Sequence, residues 1–335
     1  MKDYNNSELT TRSLVIEKKK NSYTCSLKKL ILKNLKKDEV IIKVEFNSFN
    51  YKDILVGKGN PGLVRSYPHV PGIDCTGRIY YSNSKKFKFR DKVMVIARPV
   101  GINSYGTMSN YFAVSSKFVE KIPQDINIKL PVIFGTAGFT AMIAINEIKS
   151  LKINKKYPIL ITGASGGVGL FSIFILNKLG YKITAATTNI KKNKKKLKLA
   201  GANEVINYEE FDKSINLPLL KKKYGAIIDN IGGSILANSI KTLHLNGALI
   251  SVGNIRSNHS MINILPLILR QVRLVGINAD STNHAIRKKI WKNIFKYKKN
   301  KNLINLYTEY NFSLSSKIFK KFLKNNYSGR VIFKI

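Results

Sequence analysis

The stretch "PILITGASGGVGLFSIFILNKLG" constrains the fold more than any other part of the sequence. An apolar run, Pro158–Thr162, enters a glycine-rich turn, and a second apolar segment then runs to Gly180. This pattern predicts a buried strand, a tight turn and a helix that ends at glycine. Ala164, Gly166 and Gly169 stand at the G-x-G-x-x-G spacing, which admits a pyrophosphate at the helix N-terminus. We therefore predict a dinucleotide-binding turn rather than a turn that only connects two elements.

Strands and helices alternate around this turn from about residue 134 onward. The predicted strands are "PILIT", "KITAAT", "NEVIN", "GAIID", "GALISVG" and "VRLVGINA". Such a rhythm predicts a doubly wound parallel six-stranded sheet with crossover helices. The first 125 residues instead contain short β-branched and aromatic runs, among them "EVIIKVEF" and "CTGRIYYS", which predict a β-rich barrel-like or sandwich-like domain. The expected fold class is α/β, in two domains.

The end of the second predicted strand bears on the choice of cofactor. An NAD site places an acidic residue there to bind the ribose 2′-hydroxyl. Here the strand ends in Thr187, Thr188 and Asn189, two lysines follow, and the first acidic residue after the turn is Glu204. Hydroxyl and ammonium groups favour a 2′-phosphate, so the predicted cofactor is NADPH. The alternative is that the lysines belong only to a lysine-rich surface.

The formal net charge of +39 raises the question of nucleic acid as a partner. Arginine supplies only 10 of the 58 basic residues, and the lysines are scattered along the chain. A nucleic-acid site favours the planar guanidinium beside stacking aromatic rings. We therefore expect no specific nucleic acid, although a basic surface attracts small anionic substrates.

Cellular location is predicted from cysteine content and hydropathy. The two cysteines, Cys25 and Cys75, are too few for a disulfide framework, which indicates a reducing cytoplasm. The N-terminal stretch lacks the apolar region of a signal peptide, and no run approaches 18 uninterrupted apolar residues. No membrane association is expected.

Motifs along nearly the whole chain resemble those of medium-chain dehydrogenases/reductases. They are "FNSFNYKDIL", "VPGIDCTG", "RDKVMV", "SYGTMSNYFAV", "GTAGFTAMIAI", "TGASGGVG", "LKLAGANEVINY" and "GRVIFKI". Within that family the chain is most similar to the zinc-free quinone oxidoreductase branch and, inside it, to the acrylyl-CoA reductase subgroup. The resemblance implies a GroES-like catalytic domain over residues 1–127, a Rossmann NADPH-binding domain over 128–278, and a return to the catalytic domain over 279–335.

The ligands of the family's zinc-dependent members are missing. Gly72, Ile73 and Asp74 replace their G-H-E triplet, and the four-cysteine lobe is absent. Zinc requires three or four nitrogen, sulfur or oxygen ligands, so no metal is expected.

The resemblance also implies the residues of the cofactor site. Tyr51 is expected beside the nicotinamide, and Tyr208 near the adenosine phosphate, while a lysine near Asn189 is the expected source of positive charge for the 2′-phosphate. The pyrophosphate is assigned to Ser165, Gly166, Gly167 and Val168, the 2′-phosphate to Thr187, Thr188 and Asn189, and the nicotinamide half to Asn254, Ile268, Ala279 and Asn325.

The implied activity is NADPH-dependent reduction of the C=C bond of acrylyl-CoA to give propanoyl-CoA. Tyr51 is the candidate for placing the nicotinamide, and Asn50 and Asp53 for ordering the site. Asn50 and Asp53 have an alternative role, capping the helix that "YKDIL" begins. The alternative functions are an NADPH:quinone oxidoreductase and a non-catalytic basic binding protein. Resemblance to the zinc-free branch also suggests a homodimer, with "VRLVGINA" as an edge strand that would otherwise be exposed.

Overall fold

A computed structural model of the chain describes residues 8–20, 22–32, 35–213, 216–324 and 329–335. The chain forms two compact units. The first contains Met1–Thr136, Lys292–Lys299 and Tyr307–Ile335, and the second contains Ala137–Trp291 and Asn300–Leu306. The domain boundaries predicted after residues 127 and 278 fall earlier in the chain than the corresponding boundaries of the two units, which follow Thr136 and Trp291.

The described residues form fifteen strands and eight α-helices. The strands are β1 (Leu9–Lys19), β2 (Ser22–Leu32), β3 (Glu39–Phe49), β4 (Cys75–Ser82), β5 (Lys92–Val95), β6 (Tyr111–Ser115), β7 (Glu120–Lys121), β8 (Ile159–Ile161), β9 (Ile183–Ala186), β10 (Glu204–Ile206), β11 (Tyr224–Asp229), β12 (Leu243–Ser251), β13 (Arg273–Gly276), β14 (Thr308–Asn311) and β15 (Val331–Lys334). The helices are α1 (Tyr51–Gly57), α2 (Leu130–Ser150), α3 (Gly167–Lys178), α4 (Ile190–Ala200), α5 (Gly233–Ser239), α6 (Leu265–Leu269), α7 (His284–Phe295) and α8 (Ser315–Lys324).

The first unit is built on a seven-stranded sheet. Its strands lie in the order β14-β15-β3-β4-β5-β7, and β6 pairs with β3. The β-branched residues of β3 form the centre of one apolar cluster, in which Val40, Ile42 and Val44 contact residues of β4, β5 and β6. Strands β1 and β2 form a hairpin that is paired over its full length. No sequence motif predicted these two strands individually.

The second unit contains one six-stranded parallel sheet in the order β10-β9-β8-β11-β12-β13. Counted within this unit, the order is 3-2-1-4-5-6, which is the Rossmann arrangement. The chain reverses direction across the sheet between β8 and β11, and ligands of such sheets bind at the carboxyl ends of the strands beside that point. All six strands predicted from the sequence are present, and the predicted fold class is confirmed.

Helix α2 is the most apolar long helix of the described residues. By length and composition it could cross a membrane, but 78% of its most apolar window is buried inside the protein, as in the core helix of a globular domain. The helix is interrupted at Gly135, whose φ of 52° and ψ of −158° are not helical.

Gly135 occupies a position that no other residue type fits. A Cβ there would lie 1.7 Å from Nη2 of Arg330 and 2.5 Å from Oδ2 of Asp74. Positive φ is also unfavourable for any residue with a Cβ. The glycine of "GTAGFTAM" is thus required by a buried ion pair and by the break in α2.

Gly135→Ala is therefore expected to lower the free energy of unfolding by about 3 kcal/mol or more. The matched control is Gly276→Ala, because a Cβ at Gly276 meets nothing within 4 Å and its φ is not positive. Urea denaturation of both variants measures the difference. Equal stability of the two variants would contradict this account of Gly135.

Candidate functional site

The glycine turn between β8 and α3 has the geometry of a phosphate cradle. Gly163 has a φ of 58°, and the N–H of Ala164 donates to the carbonyl of Ala186 at 3.1 Å. Gly166 is the N-cap of α3. A Cβ at Gly169 would lie 2.6 Å from Cα of Ala164, so only glycine lets the helix approach the turn this closely. The structure thus brings together the half-buried segment 165–168 at the N-terminus of a twelve-residue helix, where an anion is favoured.

The three residues after β9 have different environments. Thr187 is buried; its hydroxyl accepts from Nδ2 of Asn193 at 2.9 Å and lies 3.5 Å from Oγ of Ser165. Thr188 and Asn189 are exposed, and Oδ1 of Asn189 accepts the backbone N–H of Lys192 at 2.9 Å. Thr187 therefore supports the glycine turn, and Asn189 caps α4.

Tyr208 lies beside the segment that follows β9. Its hydroxyl is hydrogen-bonded to Thr188, and burial raises its pKa while the nearby Arg256 guanidinium opposes that rise. Arg256 forms an ion pair with Asp212, which directly follows the short helical turn Tyr208–Phe211. Nothing in the local sequence of Arg256 places it near Tyr208, so this contact is visible only in the structure.

Polar side chains also join the carboxyl ends of β8 and β11. The hydroxyl of Thr162 donates to Oδ1 of Asp229 at 2.5 Å, and the N–H of Gly232 donates to Oδ2 of Asp229 at 2.8 Å. Nδ2 of Asn230 donates to the carbonyl of Thr162 at 2.8 Å. Burial raises the pKa of Asp229. These bonds fix the strand ends at the point where the sheet reverses direction, and no local sequence motif predicts them.

The remaining cofactor residues implied by the resemblance differ in exposure. Asn254 is exposed and donates from Nδ2 to Oδ1 of Asn258 at 2.5 Å. Ile268 is 61% exposed, whereas Ala279 is buried. Asn325 lies outside the described residues.

In the first unit, the candidate residues of "NYKD" lie at the start of α1. Asn50 is the N-cap, and its backbone N–H donates to Oδ2 of Asp53 at 2.7 Å. The other carboxylate oxygen of Asp53 accepts the N–H of Gly72 at 2.9 Å. Asp53 is fully buried with both oxygens bonded to the backbone, so its contacts are those of a helix cap, the alternative role considered for it. Tyr51 is half-buried in the first turn.

Asn50 belongs to a buried polar network centred on Asp74 and Arg330. Nδ2 of Asn50 donates to Oδ2 of Asp74 at 2.9 Å, and Oδ1 of Asn50 accepts from Arg330 at 3.0 Å. Arg330 and Asp74 form an ion pair at 3.3 Å. Asp74 also accepts from the hydroxyl of Ser48 at 2.9 Å and from the N–H of Thr136 at 2.9 Å. The network fixes the orientation of the Asn50 side chain and therefore the start of α1.

The described residues contain no group of three or more His, Cys, Asp or Glu side chains that could hold a metal ion. Cys75 lies one residue after Asp74, and burial strongly raises the pKa of its thiol, which disfavours the thiolate that ligates metals. The prediction of a metal-free site stays a prediction.

Two family models match different parts of the chain. Residues 36–124 match the alcohol dehydrogenase GroES-like domain, and residues 167–295 match a domain described as zinc-binding dehydrogenase. The putative quinone oxidoreductase YhfP of Bacillus subtilis is 31% identical, over 97% of this chain and 98% of its own length. The acrylyl-CoA reductase AcuI of Ruegeria pomeroyi is 32% identical, over 84% of this chain and 86% of its own length.

The chain belongs to the medium-chain dehydrogenase/reductase family, in its quinone oxidoreductase branch.

Solved structures that share this fold contain a bound nicotinamide cofactor. The yhdH oxidoreductase of Salmonella enterica in complex with NADP has a TM-score of 0.90 at 28% identity, covering 97% of this chain and 99% of its own. The Bacillus subtilis yhfP structure, with NAD bound, also has a TM-score of 0.90, at 31% identity, covering 98% of this chain and 100% of its own. Both forms of the nicotinamide cofactor therefore occur on this scaffold, and the choice between them depends on local residues.

The buried carboxyl of Asp53 generates a prediction of pH dependence. Burial raises its pKa to about 7, from an ordinary value near 3.8. The folded protein therefore binds this proton more tightly than the unfolded chain does, and the stabilisation is lost as pH rises through about 7. The free energy of unfolding of the native protein minus that of Asp53→Asn should fall between about pH 4 and 7, by at most about 1.4 kcal/mol per pH unit, and be constant above.

Urea denaturation of both proteins at several pH values measures this difference. The control is Asp91→Asn, because hydrogen bonds and ion pairing with Lys121 and Lys88 lower the pKa of Asp91, so its small effect has the opposite sign. A difference that stays constant from pH 4 to 8 for Asp53→Asn would show that Asp53 remains ionised throughout.

Proposed function

We propose that the protein is an NADPH-dependent reductase of a short enoyl thioester, acrylyl-CoA, forming propanoyl-CoA. The observation that carries the proposal is the carboxyl edge of the parallel sheet, where a phosphate-binding turn stands beside strand ends that carry hydroxyl and cationic groups. The substrate class is supported by the 32% identity to the acrylyl-CoA reductase of Ruegeria pomeroyi and by the "NYKD", "PGID" and "GTAGFTAM" motifs.

The choice of NADPH rests on the groups around the end of β9. The hydroxyls of Thr188 and Tyr208 are hydrogen-bonded to each other, and the guanidinium of Arg256 lies close to Tyr208. A planar guanidinium suits a phosphate well because it presents several donors in a fixed geometry. The ion pair with Asp212 holds Arg256 in place. We infer that Arg256, rather than a lysine near Asn189, supplies the main charge for the 2′-phosphate.

The residues described also fit the rest of the cofactor. The backbone N–H groups of 165–168 and the N-terminus of α3 bind the pyrophosphate, and Gly169 keeps the helix close enough for them to do so. When bound, NADPH supplies the hydride that adds to the β-carbon of the thioester.

The first unit contributes positioning. The contacts of Asn50 with Asp74 and Arg330 hold the start of α1. Tyr51 is the first residue of that helix, and in this proposal its ring orients the nicotinamide. Asp53 keeps both oxygens on backbone N–H groups and acts as a cap in this mechanism, not as a proton donor. Hydrogen bonds polarise the thioester carbonyl, and water or a weak acid protonates the α-carbon.

A quinone is the second candidate substrate. The observation that favours it is the 31% identity, over 97% of the chain, to the putative quinone oxidoreductase of Bacillus subtilis. The cofactor site is the same for both reactions, so only turnover separates them.

We further propose a homodimer in the cytoplasm. Strand β13 is at the edge of the parallel sheet, and apolar side chains on and before it are exposed, including Leu274, Ile268 and Leu269. Such an edge favours pairing with another strand. Both cysteines are free and buried, which suits a reducing compartment. A monomer in light scattering at micromolar concentration would contradict the dimer.

Cofactor preference tests the role of Arg256. We expect NADPH to bind at least about tenfold more tightly than NADH, equivalent to ~1.4 kcal/mol. Arg256→Ala should remove most of that preference while leaving NADH affinity unchanged, because NADH lacks the 2′-phosphate. The matched control is Lys192→Ala. Titration by nicotinamide fluorescence measures all six affinities, and loss of the preference in the lysine variant alone would transfer the role to Lys192.

Substrate preference is tested by NADPH oxidation with acrylyl-CoA, crotonyl-CoA and a benzoquinone side by side. We expect the highest kcat/KM with acrylyl-CoA, about tenfold above crotonyl-CoA, because a tight pocket discriminates against one methyl group by about 1–3 kcal/mol. Tyr51→Ala should lower kcat without changing the unfolding midpoint. Faster reduction of the quinone would establish the second candidate, and no NADPH oxidation with retention of nucleic acid at about 200 mM salt would favour a basic binding protein.

A further inference from the structure

A shallow cavity of about 490 Å³ opens on the first unit, over strands β3 and β4. Its floor is formed by Lys43, Glu45, Arg78 and Tyr80, and one wall by the loop residues Phe89 and Arg90. The volume is within the range of pockets that hold small molecules. None of these residues belongs to the cofactor site or to the polar network around Asp74.

The cavity is rich in the rarer basic residue of this chain. Two of its three cations, Arg78 and Arg90, are arginines, although lysine supplies 48 of the 58 basic residues. Arg78 and Lys43 are cross-strand partners and lie side by side on the sheet. Glu45 is the only acidic residue of the lining, and its carboxylate is paired with Nε of Arg78 at 3.0 Å. The lining therefore carries an excess of positive charge.

An aromatic ring stands at the edge of this charged floor. Phe89 is 58% exposed, and the guanidinium of Arg90 lies 5.5 Å from its ring centroid. An exposed phenyl ring beside arginine is the arrangement that stacks on flat aromatic ligands.

The loop that carries this ring is held in an unfavourable backbone conformation. Arg90 has a φ of 67°, which is uncommon for a residue other than glycine. Its N–H donates to the carbonyl of Ile79 at 2.9 Å, and its own carbonyl accepts from Arg78 at 3.4 Å. These bonds fix Arg90 over β4 and keep Phe89 at the rim. Strained residues of this kind concentrate at ligand sites.

We propose that this cavity is a binding site for an adenine nucleotide, with the base on Phe89 and the phosphates on Arg78, Arg90 and Lys43. Two guanidinium groups and an ammonium suit a diphosphate, and the exposed ring supplies a contact that inorganic phosphate cannot use. The same chemistry is present in free ADP and in the adenosine diphosphate portion of coenzyme A. The site does not depend on the reaction proposed above.

The test is isothermal titration calorimetry of the full chain with ADP, in the presence of saturating NADP⁺ to occupy the glycine turn. We expect one ADP to bind per chain. Phe89→Ala and Arg90→Gly should each weaken that binding by about tenfold or more. Arg90→Gly is a suitable variant because glycine accepts the positive φ, so the loop keeps its conformation. Pyrophosphate, which lacks the ring, should bind more weakly than ADP.

The matched control is Lys117→Ala, which removes one positive charge and an equivalent contact, 5.0 Å from the ring centroid of Phe118, elsewhere on the same unit. It should leave ADP binding unchanged. Equal weakening in this control, pyrophosphate binding as tight as that of ADP, or no ADP binding at millimolar concentration would each overturn the proposal.

A last measurement separates the two sources of the nucleotide. If coenzyme A binds at the cavity, it should displace ADP, and Arg90→Gly should raise the KM for acrylyl-CoA with kcat unchanged. If the free nucleotide is the ligand, that KM stays constant while ADP binding is still lost. Because Phe89 and Arg90 are outside the cofactor site, their effect on ADP binding is measured even if NADPH oxidation is absent.

Discussion

The buried ion pair between Asp74 and Arg330 is the contact on which the first unit depends. A buried charge without its partner costs several kcal/mol, so both residues must be present and hydrogen-bonded. Arg330 meets this requirement through the carbonyls of Val132 and Ile133, the hydroxyl of Ser48 and the amide of Asn50. One side chain thereby joins the end of β3, the start of α1 and the N-terminal turn of α2. The nonhelical φ of Gly135 follows from it, because the guanidinium occupies the space that a Cβ would need.

Local sequence pattern was sufficient to predict the parallel sheet. It was insufficient to predict the polar contacts between residues that are distant in sequence. The glycine turn and the six strands have signatures within a few residues of each other, and the structure contains all of them. Asp74 and Arg330 are 256 positions apart, and Thr162 and Asp229 are 67 apart, so no spacing rule brings them together. Asn50 and Asp53 show a different limit. The same two residues suit a helix cap and a catalytic pair, and only the bonds of Asp53 to two backbone N–H groups distinguish them.

The use of arginine in this lysine-rich chain follows a physical rule. Arg330 and Arg287 are among the largest fully buried side chains, and Arg270 donates to the carbonyls of Lys241, Leu243 and Leu220 from within the second unit. The sites of Arg330 and Arg270 need several donors in a plane, which the single ammonium of lysine does not provide. Lysine suffices where a charged side chain only has to be solvated. Arginine is retained where geometry matters, and for that reason its positions are more informative about function than the net charge.

The position of Arg330 near the end of the sequence also has a consequence for biosynthesis. The six strands of the second unit lie between Ile159 and Gly276, so all of them have been translated before the ribosome reaches Arg330. The nascent chain can complete that sheet from consecutive segments, whereas Asp74 waits for a partner made more than two hundred codons later. Until then the Asp74 carboxylate lacks the guanidinium that pairs with it. The first unit is therefore synthesised in separate parts, and its central ion pair forms only after the strands of the second unit have been translated.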